Sequence, residues 1–380
     1  MSGLRLVTLG VGLAAAGAGA VLGFGAERLS VGRAAGRPLL PGRRASVPER
    51  AVPLGSLSGR TAVVRASDGT ELHAEVDDLP GPEAAQATQD GRPTVVFCHG
   101  YALNLDYWHA QRLALRGRYR LVFWDHRGHG RSERGPEGSA TIDQLGHDLE
   151  KVLDATCPTG PLVLVGHSMG GMSIMALAAR RPEMVRERVV ATALTSTSPG
   201  GMGDNDFGLA ALAPAFRRLA PGTLHLLSRN AAVTERGRML GGDLEQVLVR
   251  HWGYASDVPD DVVDFTARMI AATRIEVIDD FFPTFAQHDK AEALTALADG
   301  EVLVLVGDGD LLTPPVHSEE ILRRVPTAEY VVVPHGGHLV AIEHPDAVTE
   351  ALEGMLARAE RLVAHDLESS AVVPQQESSR

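Results

Sequence analysis

The sequence predicts an α/β fold: a mostly parallel sheet of eight strands flanked by helices, with a helical insertion late in the chain. Three observations predict it. Short apolar runs recur between stretches with helical spacing, the alternation that builds a parallel sheet. Several of these runs end in Gly- and His-rich segments, which suit the loops at the C-terminal edge of such a sheet. Finally, 380 residues with 44% hydrophobic content suffice for one sizeable core plus extensions.

The elements follow in order. Thr61 to Ala66 and Glu71 to Val76 predict a hairpin that turns at Asp68-Gly69, a pair suited to a tight turn. Six further strands are predicted at Thr94 to Cys98, Leu121 to Trp124, Leu162 to Val165, Val189 to Leu194, Val302 to Val306 and Tyr330 to Val333. Helices fill the intervals, among them Ile142 to Asp154 and, last, Asp346 to Leu362. In that last helix Val348, Leu352, Met355, Ala359 and Leu362 recur at helical spacing and are expected to pack on the sheet.

The chemistry-bearing residues lie just past strand ends. Gly166-His167-Ser168-Met169-Gly170 stands between a predicted strand and a predicted helix. A serine hydroxyl is a poor nucleophile unless exposed, near a base and faced by hydrogen-bond donors, and a sharp strand-to-helix turn helps with each need. Downstream, Gly307-Asp308-Gly309-Asp310-Leu311-Leu312-Thr313-Pro314 and Pro334-His335-Gly336-Gly337-His338 offer an acid and a base, in the order Ser, acid, His. His99-Gly100-Tyr101 follows one buried run, and Asp125-His126-Arg127-Gly128-His129-Gly130-Arg131-Ser132 follows another.

With these motifs the chain resembles the α/β-hydrolase superfamily, in its serine-dependent esterase, lipase and haloperoxidase-like branch, from Arg92 to Val363. The resemblance implies Ser168 as nucleophile, His338 as general base and Asp310 as the acid that orients it. It also implies an oxyanion hole from the backbone N–H groups of Tyr101 and Met169, and no cofactor. Asp308 competes for the acid role, but the spacing Gly307-x-x-Asp310-x-x-Thr313-Pro314 matches the family and favours Asp310. His335 is read as a loop residue, and Asp125 to Ser132 as a structural turn at the site wall. His99, His126, His129 and His167 have spacings that metal ligands also use. No Cys or carboxylate completes a ligand set, so they are read as loop scaffolding and no metal is expected.

The expected reaction is cleavage of a carboxylic ester, with an apolar acyl or alkyl group, through a covalent acyl-enzyme. Cofactor-free haloperoxidase (perhydrolase) or carbon–carbon hydrolase chemistry uses the same triad, and acyl transfer to an alcohol is a further variant. A ligand receptor that keeps the triad but barely turns over is a reading of a different class. An aspartate nucleophile is disfavoured by Ser168.

The insertion from 198 to 297 is expected to form a mostly helical cap that shapes the pocket. Within it Leu209, Leu212, Phe216, Leu219 and Leu224 read as packing residues, and Trp252, Phe281 and Phe282 as weaker pocket candidates. A net charge of −12 lacks the basic footprint of a nucleic-acid binder, so the expected partner is a small-molecule ester.

The N-terminus carries a separate signal. Leu6 to Ala26 holds no charged residue over 21 positions, long enough to cross a bilayer. It is read as a membrane anchor, with a signal peptide cleaved near Ala18-Gly19-Ala20, and hence secretion, as the alternative. Residues 28–60 read as an Arg-, Pro- and Gly-containing linker, 61–363 as the catalytic domain, and 364–380 as a disordered tail. The two cysteines, Cys98 and Cys157, give no disulfide framework.

Overall fold

The computed structural model describes residues 52–204, 222, 224–229 and 242–371. The apolar segment Leu6 to Ala26, most of the linker, the apolar positions 207–219 and the last nine residues lie outside these. Among the described residues no helix is long and apolar enough to cross a membrane.

One eight-stranded sheet organises the chain: β1 (Arg60–Arg65), β2 (Glu71–Asp77), β3 (Thr94–Cys98), β4 (Leu121–Trp124), β5 (Leu162–His167), β6 (Val189–Thr195), β7 (Glu301–Gly307) and β8 (Glu329–Val333). All eight lie where the apolar runs predict, most of them a residue or two longer. The order is β1-β2-β4-β3-β5-β6-β7-β8. β2 pairs antiparallel with β1 and β4, and every later pairing is parallel. The central strands are Val- and Leu-rich and buried along almost their whole length, as expected when helices cover both sheet faces.

Among the described residues the main helices are α1 (Gly81–Gln89), α2 (His109–Leu115), α3 (Ile142–Thr156), α4 (Met169–Arg180), α5 (Pro182–Arg188), α6 (Gly242–Gly253), α7 (Asp260–Ala272), α8 (Ile275–Gln287), α9 (Pro315–Arg324), α10 (Val340–Glu343) and α11 (Pro345–Ala371). On one face, Leu352, Met355 and Ala359 of α11 share a core with Phe97, Phe123 and Leu305, and α7 adds Phe265 and Met269. On the other, Leu149 and Leu153 of α3, Ile174 and Leu177 of α4 and Ile321 of α9 pack with Val96, Leu164 and Val304. Burying one such side chain contributes about 1.5–3 kcal/mol.

Two details of the last helix differ from the sequence reading. It continues to Ala371 rather than ending at Leu362, so part of the expected tail is helical. Leu362 is exposed while Val363 is buried. Four residues separate Val363 from Ala359, so it continues the buried stripe, and a Cβ on Gly91 would lie 2.9 Å from its Cγ1.

The antiparallel edge holds buried charges. The Arg112 guanidinium pairs with Asp77 through two contacts of 2.7 and 2.8 Å and with Glu75 at 2.7 Å. Burial pushes the Glu75 carboxyl up, but hydrogen bonds from His73, Arg112 and the Gly59 N–H outweigh it and hold the group well below the usual carboxylate range. This is a structural knot on the β1–β2 edge, apart from the candidate site residues described next.

Candidate active site

The nucleophile candidate sits on a strained turn. Ser168 joins β5 to α4 with φ 51° and ψ −119°, a conformation that costs a non-glycine residue on the order of 1–3 kcal/mol. Its surroundings enforce it. A Cβ on Gly166 would lie 2.6 Å from the Gly171 nitrogen, and one on Gly170 would run into the Cys98 carbonyl oxygen. The Ser168 N–H donates to Thr195 O at 3.0 Å, and Thr197 Oγ1 donates to Ser168 O at 2.7 Å. The motif's glycines therefore let strand, helix and β3 close around the serine.

His338 lies 3.0 Å from Ser168 Oγ through Nε2, and its Nδ1 is 3.0 Å from each Asp310 oxygen. Asp310 is buried and receives N–H bonds from Leu312 at 2.9 Å and Thr313 at 2.8 Å. Thr313 Oγ1 donates to its second oxygen at 2.9 Å. Burial pushes the Asp310 carboxyl up, but the neighbouring His338 and the Thr313 donors outweigh it, so the group sits below the usual carboxylate range. An ionised carboxylate only accepts, so the proton of His338 belongs on Nδ1 and Nε2 is left to accept from the serine hydroxyl. The competitor Asp308 is exposed, as is His335.

Two N–H groups flank Ser168 as candidate oxyanion donors, those of Met169 and Tyr101. Met169 opens α4, where the helix dipole and free amides favour negative charge, and Tyr101 follows Gly100 at the end of β3. Among the described residues neither N–H has an acceptor within the fold. A Cβ on Gly100 would lie 3.3 Å from the Ser168 Cβ, which measures how closely this loop approaches the nucleophile.

The histidines predicted as scaffolding hold main chain. His99 Nδ1 donates to Gly100 O at 2.7 Å and its Nε2 accepts from the His126 N–H at 3.0 Å. His126 Nε2 donates to His99 O, and His167 Nε2 to His338 O, each at 2.9 Å. His167 also stacks on Tyr107, with ring centroids 4.3 Å apart. The run Asp125 to Ser132 is fixed similarly: Asp125 accepts from the N–H groups of Leu105 and Arg131, and Arg127 forks onto Asp148 at 2.6 Å. Both thiols are buried, and burial pushes Cys98 up to about 12 despite the indole N–H of Trp124 on its sulfur, so neither resembles a nucleophile.

Between β6 and β7 lie α6, α7 and α8. An apolar cluster of Met169, Met172, Ile142, Val277 and Phe281 joins α8 to the nucleophile helix, with Tyr101, Met202 and Phe285 half-buried at its edge. Of the sequence's pocket candidates, Phe281 is buried in this cluster, while Phe282 and Trp252 are half-exposed.

Sequence reasoning missed two groups. The Thr313 hydroxyl bond to Asp310 could have been read from the Asp-x-x-Thr spacing, which permits such local bonds. Glu343 had no local signal. Its carboxylate accepts from the N–H groups of Gly337 at 2.5 Å, Ala255 at 2.8 Å and Ser256 at 2.6 Å, tying the His338 loop to the turn between α6 and α7.

This geometry defines a class, a nucleophile-elbow fold with a Ser-His-Asp constellation. The family model described as alpha/beta hydrolase fold matches residues 93–345, and the chain belongs to that family. Two curated relatives are each 27% identical. One, from Caulobacter segnis and provisionally named carbamate hydrolase RutD, aligns over 69% of this chain and 90% of its own length. The other, the mouse sn-1-specific diacylglycerol lipase ABHD11, aligns over 82% and 95%. The enol-lactonase of Burkholderia xenovorans LB400 superposes with a TM-score of 0.58 at 25% identity, covering 78% of this chain and all of that one. The family and these relatives support a hydrolase.

Proposed function

We propose that this hydrolase cleaves a carboxylic ester through a covalent acyl-enzyme on Ser168. The observation that carries the reading is the bond from Ser168 Oγ to His338 Nε2 at 3.0 Å, with Asp310 behind the ring. His338 takes the hydroxyl proton as Ser168 Oγ attacks the ester carbonyl carbon, and the carbonyl oxygen becomes an oxyanion facing the N–H groups of Met169 and Tyr101. The C–O bond to the alcohol then breaks as His338 returns the proton to the leaving oxygen. Water, deprotonated by His338, attacks the acyl carbon and frees the acid and Ser168. Loss of one oxyanion donor typically costs about 3–4 kcal/mol of transition-state stabilisation.

The half-buried edge of Tyr101, Met202 and Phe285 favours an apolar acyl or alkyl group over a small polar one. The test is the initial rate on p-nitrophenyl esters from acetate to palmitate, beside Ser168→Ala. The reading expects a rate peaking at one chain length and lower by at least about 10⁴-fold in the variant. Equal rates in a folded Ser168→Ala protein would sink it, and a single slow turnover with retained product would favour the receptor reading.

A further inference from the structure

The loop that carries the Tyr101 N–H is gripped from the cap. Tyr101 Oη donates a 2.5 Å hydrogen bond to the carbonyl oxygen of Ile278 on α8, 177 positions away. Its ring stands edge-on to Phe285 of the same helix, with centroids 5.0 Å apart. The next residue, Ala102, has φ 58°, a left-handed conformation that a residue with a Cβ seldom adopts unless its surroundings impose it. Its carbonyl oxygen accepts from Thr273 Oγ1 at 3.3 Å, across 171 positions. Thr273 and Ile278 bracket the turn into α8, so two consecutive loop residues are bonded to one short cap segment.

The cap segment is itself fastened to the core. Thr284 Oγ1 accepts from the Ile142 N–H at 3.2 Å, and Arg134 Nε donates to Asp280 at 2.7 Å. A Cβ on Gly128 would lie 2.8 Å from Val277. Helix α8 therefore has a defined seat from which to hold the loop.

We propose that the segment Thr273 to Ile278 positions the oxyanion hole, with the Tyr101 hydroxyl as its principal grip. The inference rests on the acyl-transfer reading above. An oxyanion donor acts only when aimed at the place where charge develops, and misplacement by a fraction of an ångström weakens it. The Tyr101 side chain thus acts through its own backbone N–H, and seating of the cap sets the strength of that donor. Tyr101 and Thr273 are positioning residues in this respect.

The experiment uses the full chain carrying Tyr101→Phe and, separately, Thr273→Val, each of which removes a hydroxyl and keeps the shape. Two readouts are compared: kcat and KM on a p-nitrophenyl ester, and inhibition by a trifluoromethyl ketone. The ketone carbon takes Ser168 Oγ, and its oxygen becomes the oxyanion. In Tyr101→Phe, kcat is expected to fall about tenfold or more, with KM within about twofold and ketone affinity weakened by a similar factor. Thr273→Val moves both in the same direction by less, and it carries the test should the tyrosine variant fail to fold. Unchanged kcat and ketone affinity, or a raised KM at constant kcat, would overturn the proposal. A wild-type rate that depends on Ser168 but ignores Tyr101→Phe refutes this inference alone, whereas no Ser168-dependent rate refutes the acyl-transfer reading beneath it.

Discussion

Ser168 and Asp310 are held at the sheet edge, the serine by Thr195 and Thr197 at the end of β6 and the acid by Leu312 and Thr313, whereas the loop at Tyr101 and Ala102, the proposed oxyanion donor, is held by residues of the β6–β7 insertion 177 and 171 positions away. The elbow closes because Gly166 and Gly170 leave no room for a Cβ, and Asp310 is fixed by the N–H groups of Leu312 and Thr313. Strand ends and the loops that leave them supply these contacts. In the proposal above, the Tyr101 loop also needs the helices between β6 and β7 in place. In the mechanism proposed above, the groups that move the proton stand on the sheet edge, while the oxyanion donor depends on a separate layer.

The largest loss of activity is expected from Asp310→Asn. The amide can still accept from Leu312 and Thr313, so the loop should persist, but an NH₂ group facing Nδ1 selects the wrong tautomer of His338. The expected outcome is a loss of about 10⁴-fold in kcat with a nearly unchanged thermal unfolding curve. A variant that unfolds would show that the carboxylate is structural instead.

Acid is expected to destabilise the fold, because neutral histidines pin main chain on both sides of the site. Burial drives His126 down to about 3 and His129 to about 4, and it holds His99 and His167 well below the ordinary range. The unfolded chain takes up these protons first, near pH 6.5, so stability is full above that pH and falls as pH drops toward the folded values. Each histidine contributes a slope of about 1.4 kcal/mol per pH unit in that window. The depressed Asp310 carboxyl acts in the same direction, but only below its unfolded value near pH 4. Urea unfolding from pH 7 to 4.5 should show a steep loss that is shallower in His129→Gln. A flat profile would mean that these rings are not buried as neutral bases.

The smallest effect belongs to the cap wall. Phe285 packs edge-on against Tyr101 at the edge of the cluster over the nucleophile helix. Phe285→Ala should shift the preferred acyl length upward and change the ratio of rates on short and long esters by about tenfold. Identical ratios would place the acyl group elsewhere.

Much of this was legible in the sequence because the signals are local. All eight strands follow from runs such as Thr94–Cys98 and Leu162–His167, and Ser168, Asp310 and His338 follow from short motifs at strand ends. What was not legible depends on contacts between distant segments. Nothing near Tyr101 announces Ile278, and nothing near Glu343 announces Ala255 and Ser256. The end of α11 was misplaced because the helix runs on past Val363, where Ala364, His365 and Leu367 are exposed and continue no buried stripe.

The acyl-enzyme itself is the most direct test. The protein would be mixed with the best p-nitrophenyl ester, quenched in acid within the first turnovers, digested, and its peptides weighed by mass spectrometry. One acyl group is expected on the peptide containing Ser168 and none in Ser168→Ala. Full product release with no adduct on that peptide, together with undiminished turnover in the variant, would contradict it.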